Sequence, residues 1–295
     1  MSDLIIDCVV LNYNDADTTI GMLNHIKDFD IISHIIVVDN CSTDDSFHRL
    51  QAMESEKVIV LRNEKNGGYG AGNNTGVFYS NEKFGSDYVI IANPDVIFEE
   101  KCVFELANLM EEDKSCSLVA PVQLNAKGEI IEDYAWPFPT TWQGIFSAGH
   151  YLRRVMWKHY GYQWLEDRKK ENAASAKVDC VPGAMLMVRT SDFCKLSGYD
   201  ESNFLYWEEA MLGKKMVRNG LCSKLLVQDT YLHNHAVSIN KSIPKAINRI
   251  KWLLRGRYHY LENYSDANAF QLLIAKVFFR LCIIEEAIIT RVKNV

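Results

Sequence analysis

The sequence has no paired cysteine motif. Its eight cysteines, at positions 8, 41, 102, 116, 180, 194, 222 and 282, are scattered, with no Cys-x-x-Cys and no His-Cys cluster. That scatter argues against both a structural zinc site and a disulfide framework. A signal peptide is also missing: Met1 runs straight into a strand-like segment without a basic start or a small-residue cleavage site. The cytoplasm is therefore the expected compartment. No dinucleotide fingerprint opens the first helix, which counts against a dinucleotide-dependent oxidoreductase, and no Walker lysine follows a glycine loop. A basic main body is lacking too. The chain carries −6 overall, with +6 in residues 241–295 and −12 in the first 240. An acidic body with a basic tail does not suggest nucleic-acid binding. If that body binds an anion, it needs a cation as intermediary.

What is present suits a folded α/β protein. At 295 residues, with 48% hydrophobic and 24% charged side chains, the chain can form one large domain or a domain with an extension. The segment Tyr88-Val89-Ile90-Ile91 reads as a central strand. Pro94 cannot donate to a ladder, so the strand ends there and delivers Asp95 at its tip. Before it, Ile5–Leu11, Ile35–Val38 and Val58–Leu61 read as strands alternating with helices at about 18–29 and through Met53, the second capped by Thr43 or Asp44. This alternation is the pattern of a parallel sheet with right-handed crossovers. Five glycines between Gly67 and Gly76 are costly in chain entropy and imply a close backbone approach. A flexible loop before a helix, and a loop and helix start near a nucleotide's ribose and phosphates, both fit that run.

Further on, Glu99–Glu112 predicts a helix and Leu118–Pro121 a strand ending at proline. Residues 125–177 are irregular and rich in aromatics, among them Trp136, Trp142, Tyr151, Trp157, Tyr160 and Trp164, which serve either acceptor binding or the core. Glu166–Ala176 predicts a mobile loop. Val178–Val188 returns to strand character with a bend at Pro182-Gly183, and Glu209–Asn219 predicts a helix beginning at two acids. Phe204, Tyr206 and Trp207 beside Glu208 and Glu209 are the surroundings that raise the pKa of a general base, although acids at a helix start are also favoured by its dipole. His233 and His235 follow a strand at Lys224–Val227.

Five stretches taken in order carry a resemblance. They are Val10–Asn14, Val37–Asp44, the Asn66–Gly70 run with Asn74, Asn93-Pro94-Asp95, and Gly198–Asp200 through Glu209. Over about residues 4–240 the chain resembles the inverting glycosyltransferases of family 2, in particular the rhamnosyltransferases of bacterial cell-surface polysaccharide synthesis. The resemblance implies a GT-A fold: a Rossmann-like, mostly parallel sheet flanked by helices. It implies a catalytic domain over 1–240, with a nucleotide half (about 1–122) and an acceptor half (about 123–240), and a helical extension over 241–295. Asn12, Tyr13, Asn14, Asp39, Gly68, Asn74 and Asn93 would surround the nucleotide, Asp39 accepting the N3–H of a pyrimidine base. Asp95 takes the last position of the family's metal-binding acid pair, whose first acid is Asn93 here. With His233, or His235 as the fallback, it would hold Mg²⁺ or Mn²⁺. Trp207, Tyr206, Asp200 and His235 would meet the acceptor sugar. Glu209 aligns with the catalytic aspartate, with Glu208 as the alternative, and Met211 replaces a supporting acid.

The expected reaction is a single displacement in which a hydroxyl of a saccharide or polyprenyl-diphosphate-linked acceptor displaces the diphosphate of a nucleotide-diphosphate sugar, with dTDP-L-rhamnose the expected donor. A UDP donor of another sugar is the alternative. A nucleotidyltransferase would want a basic glycine loop after the first strand, and Asn12–Asp17 has none. A non-catalytic sugar-binding scaffold is kept open by Asn93 and Met211. In the tail, Phe270, Ile274, Val277, Leu281, Ile284 and Ile288 repeat at helical spacing, interrupted by too many charges for a membrane span. Packing on the catalytic domain or a second subunit, and peripheral contact at the inner face of an anionic membrane, both fit that pattern.

Overall fold

The computed structural model describes residues 4–149, 161–234 and 246–293. Strands β1 (Ile6–Asn12), β2 (His34–Asp39), β3 (Val58–Arg62) and β4 (Tyr88–Ala92) pair in parallel in the order β3-β2-β1-β4. Between them run α1 (Ala16–Ile26), α2 (Ser46–Gln51) and α3 (Tyr69–Phe84). Ile6, Cys8 and Val10 face one apolar layer and Val9 the other, so β1 is buried on both sides, as the continuous apolar run requires. The helix expected at about 18–29 spans 16–26. Asp44, rather than Thr43, receives the Ser46 N–H at the start of α2.

The glycine run is a short loop through Gly68 and a helix from Tyr69 onward. α3 begins at Tyr69, and its glycines let it lie against the sheet: a Cβ at Gly72 would stand 2.3 Å from Leu11, and one at Gly76 2.5 Å from Val9. The close approach inferred from composition is thus made to the protein's own strand.

After β4 come β5 (Val96–Ile97), α4 (Glu100–Glu112) and β6 (Cys116–Leu124). β6 does not end at Pro121; it continues through a register irregularity between Pro121 and Val122, the kind of place where a missing donor is tolerated. Then follow α5 (Thr141–Phe146), α6 (Leu165–Lys170), β7 (Ser175–Val178), β8 (Met185–Arg189) and α7 (Thr190–Lys195). The expected loop at 166–176 is therefore ordered, its lysines and arginine making i,i+3 pairs with Glu166, Asp167 and Glu171, and its end adding a strand to the sheet. α8 (Glu208–Arg218) and the long β9 (Cys222–His233) complete a nine-stranded sheet, with β8 antiparallel to β4 and to β6, and β9 parallel to β6.

Two helices follow, α9 (Ala246–Asn263) and α10 (Ala269–Lys293). They pack on each other and on α5 around Ile145, Leu254, Leu261, Phe279 and Cys282. Tyr260 of α9 and Tyr264 just past its end join the sheet body, packing with Cys180, Ala210 and Met211.

Candidate active site

Sequence and strand ends converge at one edge of the sheet. Asn12 and Asp39 stand in register at the last positions of β1 and β2. Both side chains are fully buried, and Asn12 Nδ2 donates to Asp39 Oδ1 at 2.9 Å. Asp39 Oδ2 accepts the Ser42 N–H at 3.0 Å, and Asn14 Oδ1 accepts that of Thr43 at 2.8 Å. Tyr13 stands half-buried between the two asparagines.

β4 ends at Ala92, and the Asn93 N–H is captured by Ala184 O at 2.8 Å. Asp95 then turns inward and is 7% exposed. Its Oδ1 lies 3.2 Å from His233 Nε2 yet has no hydrogen-bond partner among the described residues. His233 is the last residue of β9, beside β5, rather than a residue of the loop beyond it. Its Nδ1 meets Gln123 Nε2 at 3.1 Å, and Gln123 Oε1 accepts from Tyr231 at 2.8 Å. A buried carboxylate oxygen without a donor beside an imidazole nitrogen fits a hard divalent cation that takes its remaining ligands from phosphate and water. No group of three or more His, Cys, Asp or Glu side chains that could by itself hold a metal ion occurs among the described residues.

The acid pair is set by a strained turn. Tyr206 and Trp207 have φ of 72° and 74°, in the left-handed region, immediately before α8 opens at Glu208. Bulky residues there cost on the order of 1–3 kcal/mol each and persist only where neighbours hold them. Asn203 Nδ2 donates to Tyr206 O at 2.7 Å. The Arg257 guanidinium lies 4.8 Å over the Trp207 ring, and Tyr260 packs against the same ring. Gly256 passes close by: a Cβ there would lie 2.6 Å from Tyr206 O.

Glu208 and Glu209 line a cavity of about 490 Å³ together with Tyr69, Asn93, Gly183, Tyr206, Trp207, His233 and Arg257. Glu208 is 4% exposed, and its Oε1 has no hydrogen-bond partner among the described residues. Burial raises its pKa well above the ordinary value, and the neighbouring Glu209 charge adds to the effect. Burial also raises Glu209, opposed by hydrogen bonds from its own and the Gly183 backbone. Glu209 rests on Gly183, where a Cβ would stand 2.5 Å from its Oε1. Tyr69 fixes that segment by donating to Gly183 O at 2.6 Å. A carboxyl with a raised pKa in a largely apolar cleft can take a proton from an alcohol near neutral pH.

Other expected site residues are committed within the protein. Asn74 is buried, donates to Tyr199 O and Glu201 Oε1, and accepts from Tyr199 N, so it clamps the segment before the acids. Asp200 accepts from His259 and Tyr264 of the C-terminal part, both at 2.8 Å. Although burial opposes it, these bonds and that from Ser202 hold the Asp200 carboxyl well below its usual range. Gly68, with φ of 91°, is needed because a Cβ would lie 2.0 Å from Phe204 O. His235, Tyr151, Trp157 and Tyr160 fall outside the described residues. Of the aromatics at 125–177, Trp136 lines the cavity, whereas Tyr134, Tyr162 and Trp164 pack in the apolar layer. Gln123 and Arg257 had no motif to mark them; Gly183 carried one signal, the bend after Pro182, and Tyr69 lay within the Asn66–Gly70 run without being singled out.

The chain shares 24% identity over 201 residues with the low-salt glycan biosynthesis hexosyltransferase Agl10 of Haloferax volcanii, covering 68% of this chain and 58% of that protein. It is 23% identical over 215 residues to an N-acetylglucosaminyl-diphospho-decaprenol L-rhamnosyltransferase of Mycobacterium tuberculosis, covering 70% and 68% respectively. Among solved structures it superposes on the mannosyltransferase PcManGT of Pyrobaculum calidifontis, in complex with GDP-Man and Mn²⁺, with a TM-score of 0.58 at 14% identity, covering 95% of this chain and 71% of that one. The fold is GT-A. The model of Glycosyl transferase family 2 matches residues 7–174, more than half of the sequence, and the chain belongs to that family.

Proposed function

We propose that the protein is an inverting glycosyltransferase that moves a sugar from a nucleotide-diphosphate donor to a hydroxyl of a saccharide or lipid-linked saccharide. L-Rhamnose from a dTDP donor is the favoured sugar, supported by the Mycobacterium relative's name; a UDP donor of another hexose is the alternative. The observation that carries the reading is one cavity lined by Glu208 and Glu209 together with Asn93 and His233.

Glu209, more accessible than Glu208 and seated on Gly183, takes the proton of the acceptor hydroxyl. That oxygen forms its bond to the anomeric carbon as the bond from that carbon to the diphosphate oxygen breaks, the electron pair leaving with the diphosphate. Attack from the opposite face inverts the configuration, and no covalent sugar–enzyme species forms. Glu208 stays protonated beside it, which spares the cavity two adjacent negative charges. Tyr206 and Trp207 offer apolar faces on which a sugar ring stacks. Asn12 and Asp39 shape the base end of the nucleotide site. Asp95 and His233 would hold Mg²⁺ or Mn²⁺, which would neutralise charge on the departing diphosphate. Gln123, bonded to His233 Nδ1, would hold the imidazole in place beside Asp95.

Measuring donor consumption and product linkage with a panel of nucleotide sugars tests the reading. Glu209→Gln is expected to abolish transfer while nucleotide binding, followed by calorimetry, survives. No turnover by the parent with any donor would instead make the protein a sugar-binding scaffold, and equal turnover by variant and parent would take the role of base from Glu209.

A further inference from the structure

The C-terminal helix carries apolar residues on two faces, and the fold covers one of them. On the inner face, Ala275, Phe279 and Cys282 are buried, with Leu272, Ile274 and Ile283 packed beside them. The repeat expected from sequence, with Ile274 in the stripe, is thus divided. The outer face presents Phe270, Leu273, Val277, Leu281, Ile284 and Ile288, each between 54% and 67% exposed. These are six of the ten large hydrophobic side chains that are exposed among the described residues. At about 100° per residue they fall within an arc of about 80°, and at 1.5 Å per residue the stripe runs about 27 Å. A continuous apolar surface of this kind marks a contact.

Charge selects the occupant. Lys276, Arg280 and Arg291 are exposed along one border of the stripe. The helix's acids lie elsewhere: Glu285 reaches toward Gly149, where a Cβ would be 3.7 Å from its Oε2, and Glu286 falls on the opposite side by helical phase. A second copy bringing the same basic border would meet like charge. Anionic headgroups complement it, and in a chain whose first 240 residues carry −12 this face is the favourable approach to a negative surface. No helix among the described residues is long and apolar enough to cross a membrane, so the contact is one of lying on the surface. We propose that the outer face of α10 docks on an anionic lipid bilayer, its apolar stripe entering the headgroup–acyl boundary and its basic border meeting the headgroups. This docking does not depend on the chemistry proposed for the cavity.

Sedimentation of the full chain with lipid vesicles tests it. Vesicles of phosphatidylcholine containing phosphatidylglycerol are expected to bring the protein down, less so as salt rises. Leu273→Glu with Leu281→Glu should weaken binding roughly tenfold or more, and Lys276→Glu with Arg280→Glu should weaken it on anionic vesicles. All four positions are exposed, so circular dichroism and soluble donor turnover should be unchanged, which separates this test from the catalytic one. Failure to bind either vesicle, or equal binding to phosphatidylcholine alone, would overturn the proposal. So would a dimeric mass in light scattering that the Leu273→Glu, Leu281→Glu variant converts to monomer, since the stripe would then belong to a second copy.

Discussion

Replacing Gly183 with alanine perturbs the proposed base without touching it. The added Cβ would lie 2.5 Å from Glu209 Oε1, whereas ordinary contact begins near 3.4 Å, so the carboxylate must retreat by the difference of 0.9 Å. Gly183 is not among the residues with positive φ, so alanine brings no backbone strain of its own. The Tyr69 hydrogen bond to Gly183 O uses the main chain and survives. A displacement of about 1 Å in a reacting group can cost about 100-fold in rate, or about 2.7 kcal/mol of barrier. The expected result is a kcat lower by about two orders of magnitude, with the KM for donor little changed and the thermal midpoint close to the parent's. The assay is steady-state transfer with the best nucleotide sugar, alongside a melting curve. The three atoms nearest to such a Cβ all belong to Glu209. A variant retaining the parent's kcat would therefore refute Glu209 as the base.

Three further outcomes follow from the same geometry. Burial raises the Glu208 pKa above its unfolded value, so the folded state keeps a proton that the unfolded chain releases. Its contribution is full below the ordinary carboxyl range and is lost as pH rises through the raised value; Glu208→Gln should flatten that decline in thermal midpoint between pH 5 and 9, as read by calorimetry. Asp95→Ala should remove Mn²⁺-induced thermal stabilisation and leave the metal-free melting temperature similar or higher, since a buried oxygen without a donor is deleted. Asn74→Ala should cost about 1–3 kcal/mol in chemical denaturation, because Tyr199 N and O lose buried partners.

Much of the parallel half of the sheet was readable because its strands are short apolar runs closed by polar residues. The tips of β1, β2 and β4, with Asn12, Asp39 and Asp95, followed from that reading. The roles of Asn74 and Asp200 did not, since a short polar side chain near a motif looks the same whether it meets a ligand or clamps a loop, and here both clamp 199–202. The glycine run was half legible, because glycine signals close approach without naming what approaches; in α3 it is Leu11 and Val9. Pro121 was taken as a stop, yet a bulge absorbs its missing donor. Gly183 and Arg257 lie 26 and 48 residues from Glu209 in sequence, and only tertiary packing brings them to the cavity.

The seating of α9 on the Asp200–Trp207 segment has a mechanical consequence. Through His259, Tyr264, Gly256 and Arg257 the helix is fastened to the turn that aims both glutamates, and α10 is fastened to α9. Whatever surface grips the outermost helix therefore sets the height and tilt of the cavity mouth above it. The distance from that surface to the cavity is then a fixed dimension of the molecule, decided by how two helices stack.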